Sequence, residues 1–314
     1  MASHFLKEEN YVGENSGDCV RRGIILKSLS GFYYVEDSES GKVVTCRARG
    51  VFRKDDVKPV VGDCVKFTVE SDGSGYVMEV MTRKNSLVRP PIANVDVALV
   101  VFSAKEPDFS VKLLDRLLAV VEFKQILPVI IVTKMDLLCD DEFEAKRVLL
   151  AYYKGIGYEV FETSAESGVG VDEVIDFLSG RTFVVCGQSG VGKSSLLNAM
   201  DGSLDIEVSE ISKALGRGKH TTRHVELHKL GSALIADAPG FSALDLDELE
   251  ASDLREAFIE FVALQDGCKF RGCLHVNEPS CAVKGAVDSG EVLTMRYENY
   301  LKFLGEIQDR KPQY

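Results

Sequence analysis

Residues 187–194 read Gly-Gln-Ser-Gly-Val-Gly-Lys-Ser and stand between an apolar run, TFVVC, and a helical stretch, SSLLNAM. The pattern G-x-x-x-x-G-K-[ST] in a strand–loop–helix setting predicts a phosphate-binding loop. Glycines let backbone N–H groups turn towards a phosphate, and the start of the following helix adds partial positive charge. The feature therefore predicts a nucleoside triphosphate site, although it does not select the base.

Each position of this loop has a predicted role. Lys193 would bridge the β- and γ-phosphates, and the Ser194 hydroxyl would bind Mg²⁺. The residues predicted to contact nucleotide are Gly187, Gln188, Ser189, Gly190, Val191, Gly192, Lys193, Ser194 and Ser195.

Two polar strand ends upstream of the loop bear on the base. Thr133-Lys134-Met135-Asp136 follows the apolar run LPVIIV, and Ser164-Ala165 follows YEVFE. A carboxylate such as Asp136 can accept both N1–H and the exocyclic amine of guanine, whereas adenine offers neither donor in that geometry. Either motif alone fits an ordinary polar strand end equally well, but the pair resembles the guanine-reading boxes of Ras-like GTPases. Thr133 stands where many members have Asn.

Two further segments resemble the switches of such enzymes. Asp237-Ala238-Pro239-Gly240 ends a buried run, where Asp237 would hold Mg²⁺ through water and the Gly240 N–H would sense the γ-phosphate. The segment 218–222, Gly-Lys-His-Thr-Thr, resembles switch I, and Thr222 is the favoured Mg²⁺ ligand. Thr pairs are also ordinary strand residues, so this second assignment has a plain alternative.

The motifs occur in an unusual order. The guanine box (133–136) and the Ser-Ala box (164–165) precede the phosphate loop (187–194), which precedes switch I and switch II. Ordinary Ras-like domains begin with the phosphate loop and end with the guanine boxes. The chain is therefore predicted to be a circularly permuted Ras-like domain, with switch II followed directly by the C-terminal segment.

Hydrolysis has its own candidates. Phe241 follows DAPG, where Ras-like enzymes commonly have a Gln that orients the attacking water. A phenyl ring cannot hold water, so hydrolysis by the free protein is expected to be slow. His220 is the candidate that supplies this function, and a solvated loop histidine is the alternative. His224, Glu226 and His228 share one face of a predicted strand, for which an exposed polar face is favoured over a metal site.

Strand and helix patterns predict the architecture around these motifs. Short alternating runs over 20–81 favour a five-stranded OB-type barrel, with a small sandwich or SH3-like barrel as alternatives. After a proline-containing break, continuous apolar runs alternate with helical stretches, as in a parallel α/β sheet. The residues beyond 244 are mainly helical. The predicted domains are a barrel (1–81), a GTPase domain (82–243) and a zinc-binding helical domain (244–314).

The zinc prediction comes from four soft ligands in a short stretch. Cys268-x₄-Cys273-x-His275-x₅-Cys281 offers three thiolates and one imidazole, which suits one structural Zn²⁺ in tetrahedral coordination. The other five cysteines are scattered singly and are predicted to be reduced. Unliganded cysteines are the alternative for the cluster as well.

Composition limits the partners and the compartment. The net charge is −12, which argues against a protein that coats nucleic acid through bulk positive charge. The near-neutral N-terminal segment has local basic clusters, Arg47-Ala-Arg49 and Arg53-Lys54, and is the better candidate for phosphate backbone. There is no membrane-spanning run and no signal-like N-terminus, so a cytoplasmic protein with no membrane contact is expected.

Taken together, the barrel, the permuted GTPase domain and the Cys₃His cluster resemble the ribosome small subunit-dependent GTPase A family of bacteria. The resemblance covers nearly the whole chain and is carried by TKMD, GQSGVGKSS, GKHTT, DAPGF and the four zinc ligands. It implies a factor in late maturation of the 30S subunit that binds GTP and GDP with Mg²⁺ and hydrolyses GTP when the subunit stimulates it. It also implies that barrel and zinc domain contact 16S rRNA. A monomer is expected.

Two other classes stay open from sequence. One is a small-molecule kinase or ATPase in which TKMD is incidental, and nucleotide selectivity discriminates it. The other is a noncatalytic RNA-binding switch, for which turnover with purified 30S subunits discriminates.

Overall fold

The computed structural model describes residues 20–48, 58–88, 91–202, 225–237 and 246–310, and for Asp237 the backbone alone. The N-terminal alternating runs form five strands. They are β1 (Arg21–Leu29), β2 (Phe32–Asp37), β3 (Val43–Ala48), β4 (Cys64–Val69) and β5 (Gly75–Val80). Alternate side chains, among them Tyr33, Val35, Val65, Phe67 and Val77, point inward and are buried.

The five strands close into a barrel. The order is β1-β2-β3-β5-β4, and β4 returns to pair with β1. The β3–β5 pair is parallel, whereas the other pairs are antiparallel. This closure through a single sheet confirms the predicted OB-type barrel and excludes the two-sheet sandwich.

The proline-containing segment after the barrel forms a small ribbon, β6 (Ser86–Leu87) and β7 (Ile92–Ala93). It is tied back to the barrel by Arg83, whose guanidinium donates to both carboxylate oxygens of the fully buried Asp63 at 2.7 and 2.8 Å. A paired, fork-shaped contact of this kind fixes orientation as well as distance. The domain boundaries predicted after residues 81 and 243 stay predictions.

The permuted GTPase domain is built on a six-stranded sheet. Its strands are β8 (Val97–Ser103), β9 (Leu127–Thr133), β10 (Glu159–Glu162), β11 (Thr182–Cys186), β12 (Glu226–Leu230) and β13 (Ala233–Asp237). The order is β10-β9-β8-β11-β13-β12, and all neighbours are parallel except the β12–β13 pair. The continuous apolar runs are therefore buried parallel strands, as predicted.

Helices cover both faces of this sheet. Helices α1 (Val111–Phe123) and α2 (Asp140–Ile156) pack on the face that Ala98, Val100 and Phe102 present. The opposite face carries α3 (Val171–Leu178) and α4 (Lys193–Met200), which share a core with Val97, Leu99 and Val101. Because strand side chains alternate, the run of seven buried residues in β8 serves both cores.

The barrel and the GTPase domain share one continuous eleven-stranded sheet. The junction is an antiparallel contact between β1 and β12, where Lys27 stands opposite Glu226. The Lys27 ammonium lies 2.6 Å from the Glu226 carboxylate, and Lys229 of β12 pairs with Glu36 of β2. Glu226 therefore belongs to an ionic contact between domains, which agrees with the predicted polar face of this strand.

The C-terminal region is helical, as predicted. It contains α5 (Ala251–Glu256), α6 (Ile259–Leu264), α7 (Ala282–Ser289) and α8 (Thr294–Gln308), with 3₁₀ turns at Leu246–Glu248 and Gln265–Gly267. Its aromatic core shares Ala119 and Val120 of α1 with the GTPase domain. Throughout the described ranges, no helix has both the length and the apolar character needed to cross a membrane.

A buried ionic cluster holds the helical region against the GTPase domain. The Arg296 side chain, 1% exposed, donates to Asp115 of α1 at 2.6 Å and also pairs with Glu260 of α6. Asn299 and Tyr153 donate to the same Asp115 carboxylate. Removing one partner of such a cluster would leave an uncompensated buried charge, so the contact fixes how the two regions are oriented.

Candidate functional site

The predicted phosphate loop connects β11 to α4 at the carboxyl edge of the parallel sheet. Its glycines adopt conformations that other residues avoid, with φ of 139° at Gly187, 82° at Gly190 and 92° at Gly192. A Cβ at Gly187 would stand 2.2 Å from the Val101 carbonyl oxygen of β8. Gly187 is therefore required by the close approach of the loop to the sheet, and Gly190 and Gly192 are favoured by their positive φ angles.

Lys193 folds back over this loop. Its ammonium donates to the carbonyl oxygens of Gly187 at 2.9 Å and Gln188 at 2.6 Å. Burial lowers the pKa of Lys193 below its ordinary value. A phosphate dianion beside this ammonium would compensate for that loss of hydration, since an opposite charge favours the protonated form.

The neighbouring Ser194 is 6% exposed and begins the helix with Lys193. Gln188 and Ser189 are exposed on the loop, whereas Val191 is buried beneath it and Ser195 is half-buried in α4. The backbone and the polar side chains of the loop therefore face solvent, while Val191 anchors the loop in the apolar core.

The predicted guanine box is attached directly to the phosphate loop. The Thr133 hydroxyl donates to the Val191 carbonyl oxygen at 2.5 Å, and the Phe102 carbonyl lies 3.2 Å away. Gly192 lies against the same threonine, because a Cβ there would be 3.3 Å from Thr133 Oγ1. Thr133 is 3% exposed, so it acts as a fixed link between the two motifs.

Lys134 and Asp136 stand at the rim above this link. Lys134 adopts a left-handed conformation, and its ammonium donates to Gly190 O at 3.0 Å and to the Glu106 carbonyl. These bonds hold its aliphatic stem across the end of the sheet. Asp136 lies in the 3₁₀ turn Met135–Leu137 and is exposed.

The Ser164-Ala165 box lies beside the guanine box. The Met135 N–H donates to the Thr163 carbonyl at 3.4 Å, and Thr163 N–H donates to Val132 O at 2.7 Å. Ser164 caps its own loop by accepting the Ser167 N–H at 3.2 Å. The predicted base-reading residues are therefore brought together with the phosphate loop at one edge of the sheet.

Several predicted residues lie outside the described ranges. They include the predicted switch I residues 218–222, with His220 and Thr222, and residues 238–241 of and after the predicted switch II, with Gly240 and Phe241. His224 and the basic residues Arg49, Arg53 and Lys54 also lie outside these ranges. The strands that flank the switch segments are described. Strand β12 begins at Glu226, just after switch I, and β13 ends at Asp237, where switch II begins.

A second site is formed by the predicted zinc ligands. The ligand atoms of Cys268, Cys273, His275 and Cys281 lie within 4.8 Å of one another. Within this set, Cys268 Sγ is 3.9 Å from Cys281 Sγ and 3.7 Å from His275 Nδ1, and His275 Nδ1 is 3.3 Å from Cys281 Sγ. Over the described part of the chain, this is the one such group of metal-binding side chains.

These separations fit a tetrahedral metal. With metal–sulfur distances of about 2.3 Å, two sulfurs on one ion would lie about 3.8 Å apart. Nδ1 of His275 faces the sulfurs, whereas Nε2 is buried without a hydrogen-bond partner in the described structure. Burial raises the pKa of Cys273 to about 12 and raises that of Cys281. Thiols that are costly to ionise alone are stabilised as thiolates by a cation, so the donor set could hold a metal ion.

Residues outside the ligand spacing hold the cluster in shape. The Glu278 carboxylate accepts the N–H groups of Leu274 at 2.7 Å and Val276 at 2.8 Å. Tyr297 and Tyr300 of α8 donate to the carbonyls of His275 and Leu274. The sequence motifs do not include these supporting residues. They also do not include Glu106, whose carbonyl oxygen accepts from Lys134 in the nucleotide site. An acid in a short loop or a tyrosine in an amphipathic helix gives no distinctive sequence signal.

Comparisons with known proteins place these sites in a family. The sequence model of the RsgA GTPase family matches residues 80–247, and that of the RsgA N-terminal domain family matches residues 22–77. The small ribosomal subunit biogenesis GTPase RsgA of Geobacillus sp. (strain WCH70) is 54% identical over 292 residues, which cover 93% of this chain and 99% of the relative. RsgA 1 of Listeria monocytogenes (serotype 4b, strain F2365) is 51% identical with the same coverage.

Solved structures give the same result. The crystal structure of YloQ, a circularly permuted GTPase, superposes with a TM-score of 0.82 at 45% identity and covers 94% of this chain and 98% of its own. YjeQ from Thermotoga maritima gives a TM-score of 0.83 at 37% identity, with coverage of 93% and 100%. The similarity therefore extends over the barrel, the permuted domain and the helical region.

Proposed function

The chain belongs to the RsgA GTPase family and is a GTPase, and from this premise we propose that it acts in biogenesis of the small ribosomal subunit. The relatives that share about half of its residues over nearly their full length carry that function in their names. The proposed cycle is GTP binding, docking on the 30S subunit, hydrolysis and release. In this cycle the subunit and its 16S rRNA are both the binding partner and the activator.

One observation carries the proposal at the level of the site. The Thr133 hydroxyl links the guanine box to the phosphate loop through the Val191 carbonyl. A purine and its phosphates must be held at a fixed separation, and a buried hydrogen bond between the two motifs supports that requirement. The link supports a TKMD segment that is part of the nucleotide site, in which Asp136 selects guanine over adenine.

The residue roles follow from the positions around this link. Asp136 reads the guanine edge, Lys134 covers the base, and Lys193 leaves the loop carbonyls to contact the β- and γ-phosphates. Ser194, Thr222 and Asp237 form the Mg²⁺ ligand set, the last of them through water. When bound, Mg²⁺ neutralises charge that develops on the phosphates. Gly240 senses the γ-phosphate.

The Cys₃His cluster is proposed to hold one structural Zn²⁺. Three thiolates and an imidazole are the donor set that zinc prefers, and all four are used, so no position is left for a catalytic water. The separations of the four ligand atoms support this proposal.

The site proposal is tested by nucleotide turnover of a phosphate-loop variant. Lys193→Ala should reduce GTP hydrolysis in the presence of 30S subunits by about a hundredfold or more, because the cation on the transferring phosphoryl group is lost. Lys154→Ala is the matched control, since that lysine is exposed on α2 and pairs with Glu162. If both variants hydrolyse GTP at the wild-type rate, the chemistry occurs elsewhere.

A further inference from the structure

The outer surface of the barrel carries an aromatic and cationic row across three strands. Phe32 of β2 stands opposite Arg47 of β3, and Arg47 stands opposite Tyr76 of β5. Directly paired residues project from the same face of a sheet. Their neighbours Tyr33, Cys46 and Gly75 form the next row and are buried inside the barrel. The side chains of Phe32, Arg47 and Tyr76 therefore project outward, and we call this set the aromatic row.

Two of the three residues in this row are aromatic and only partly buried. Arg47 is exposed, and Phe32 and Tyr76 are half-buried. Tyr34, two residues beyond Phe32 on β2, extends the same face and stands opposite the exposed Thr45. Aromatic side chains that stay partly exposed on the outside of a small barrel contribute less to stability than buried ones, and part of each ring remains available to a ligand.

Arg47 lies over the Phe32 ring. Its guanidinium carbon lies 4.8 Å from the centre of the Phe32 ring, which is a cation–π contact. None of the described carboxylates lies within ion-pair distance of it, whereas Arg21, Lys66 and Arg83 of the same barrel region all have acidic partners. A planar cation beside two aromatic rings, with none of the described carboxylates in ion-pair range, suits an anionic, aromatic ligand.

This combination matches single-stranded nucleic acid better than a duplex. Unpaired bases offer faces that stack on aromatic rings and on guanidinium planes, and their backbone supplies negative charge. Paired bases are stacked within a helix and cannot reach such a surface. The whole chain has a net charge of −12, which disfavours nonspecific electrostatic binding of nucleic acid. Stacking beside a local cation would instead select RNA segments with unpaired bases.

We propose that the aromatic row, Phe32, Arg47 and Tyr76, is a stacking platform for unpaired RNA bases. This inference rests on the proposed function, because it assigns the barrel's share of the contact with ribosomal RNA to one face and one mode of recognition. Bases stack on Tyr76 and against the Arg47–Phe32 pair, and the Arg47 guanidinium donates to the RNA backbone.

Binding is measured by fluorescence anisotropy with a labelled 12-nucleotide single-stranded RNA of mixed sequence and with the same sequence in a hairpin duplex. The wild-type protein should bind the single strand more tightly than the duplex. Phe32→Leu and Tyr76→Leu should each weaken single-strand binding by about tenfold, since stacking is lost. Tyr76→Phe should keep wild-type affinity, because it retains the ring.

Charge and folding need matched controls. Arg47→Gln should weaken binding more than Lys66→Gln does. Lys66 lies on β4, next to the Tyr76 strand β5, and carries the same charge, but it is already paired with Glu79. Thermal melting of all variants should match the wild type within a few degrees, because the substituted side chains lie outside the barrel core. A variant that melts much lower is replaced by Phe32→Met or Tyr76→Met, which also remove the ring and keep an apolar side chain of similar length.

A direct reporter is available because the chain contains no tryptophan. Tyr76→Trp places a single indole in the aromatic row, and its fluorescence should be quenched when the single-stranded RNA stacks on it. Phe143→Trp, on helix α2, is the control and should not respond. Unchanged affinity of Phe32→Leu and Tyr76→Leu, equal binding of duplex and single strand, or an indole that does not respond in Tyr76→Trp would each overturn the platform.

Failure of the platform is distinguishable from failure of the proposed function. Wild-type GTP hydrolysis is measured with 30S subunits on the same preparations. Stimulation that persists while the row variants bind RNA normally would contradict the platform alone. Absent stimulation of the wild type would contradict the proposed function and leave the oligonucleotide result standing by itself.

Discussion

Thr133 shows how a single residue can organise the nucleotide site. It ends β9, and its buried hydroxyl reaches the carbonyl of Val191 in the phosphate loop, 58 residues further along the chain. Where many Ras-like members have Asn, this chain has a shorter side chain with one hydroxyl group. The Thr133 side chain packs against the backbone of Gly192, and a Cβ added at that glycine would lie 3.3 Å from Thr133 Oγ1. The departure from the common motif therefore leaves the connection between base and phosphate motifs in place.

Guanine reading should depend on Asp136. Asp136→Asn presents an amide where the carboxylate accepted two N–H groups, so GTP affinity should fall by about a hundredfold, and xanthosine triphosphate should become the preferred nucleotide. Competition binding with the two nucleotides measures this change. Asp140→Asn, at the start of α2, is the control and should leave the preference for GTP in place. Unaltered GTP affinity of Asp136→Asn would remove the residue from the base-reading site.

The rate of hydrolysis is a second question at the residue scale. Phe241 stands where a water-orienting Gln is common, and His220 precedes the proposed Mg²⁺ ligand Thr222 by two residues. We expect docking on the 30S subunit to bring His220 to the attacking water, with a positioning role in place of strong base chemistry. Phe241→Gln should not by itself produce a fast free enzyme.

His220→Ala should keep GTP binding and 30S binding near wild-type values and lose most of the stimulated increment in turnover. The measurement is steady-state hydrolysis at saturating 30S for both proteins. If the variant is stimulated as strongly as the wild type, the water is positioned by another group, and the histidine is an ordinary loop residue.

At the scale of elements, the Cys₃His loop shows why a metal ion would be structural. Cys268 and Cys273 flank the turn before α7, Cys281 caps α7, and the loop carbonyls of Leu274 and His275 accept hydrogen bonds from α8. A single ion would therefore tie the turn to both C-terminal helices. The site lies within the aromatic core, since Phe261 contacts the His275 ring edge-on with centroids 5.6 Å apart.

Metal analysis of protein purified without added zinc should give one Zn²⁺ per chain. Cys273→Ser should lower the melting temperature of the C-terminal region by about 10 °C, because a ligand is lost and the remaining buried thiols stay unpaired. Cys139→Ser is the control, since Cys139 is exposed and lies far along the chain from the cluster. Nucleotide binding should survive in both variants. Protein without metal, or melting that chelation does not change, would contradict the assignment.

The elements that sequence could predict are those with local signals. The phosphate loop, the guanine box and the cysteine cluster each lie within a short stretch, and the strands before the first two are continuous apolar runs. The β1–β12 junction and the Arg296 cluster could not be predicted in this way. The Lys27–Glu226 contact joins residues 199 apart, and the Arg296–Asp115 contact joins residues 181 apart. A buried arginine in an amphipathic helix has the same sequence signature as an exposed one.

The whole molecule connects the switches to the surfaces around them. Strand β12 follows switch I, pairs with β13 before switch II, and contacts β1 of the barrel along its other edge. The 3₁₀ turn Leu246–Glu248 follows switch II and leads into the helical region, which is fixed to α1 by Arg296 and Asp115. A change at either predicted switch would therefore act on described segments that are bonded to the barrel on one side and to the helical region on the other.

Activation by the small subunit is tested most directly by steady-state GTP turnover of the full chain alone and with purified 30S, 50S or 70S particles. We predict slow turnover by the free protein and an increase of at least about tenfold with 30S subunits, because docking must supply what Phe241 cannot. Lys193→Ala with 30S subunits is the negative control, and ATP should not replace GTP. Equal turnover with and without 30S subunits, or stimulation by 50S subunits alone, would contradict the central claim that the small subunit activates this GTPase.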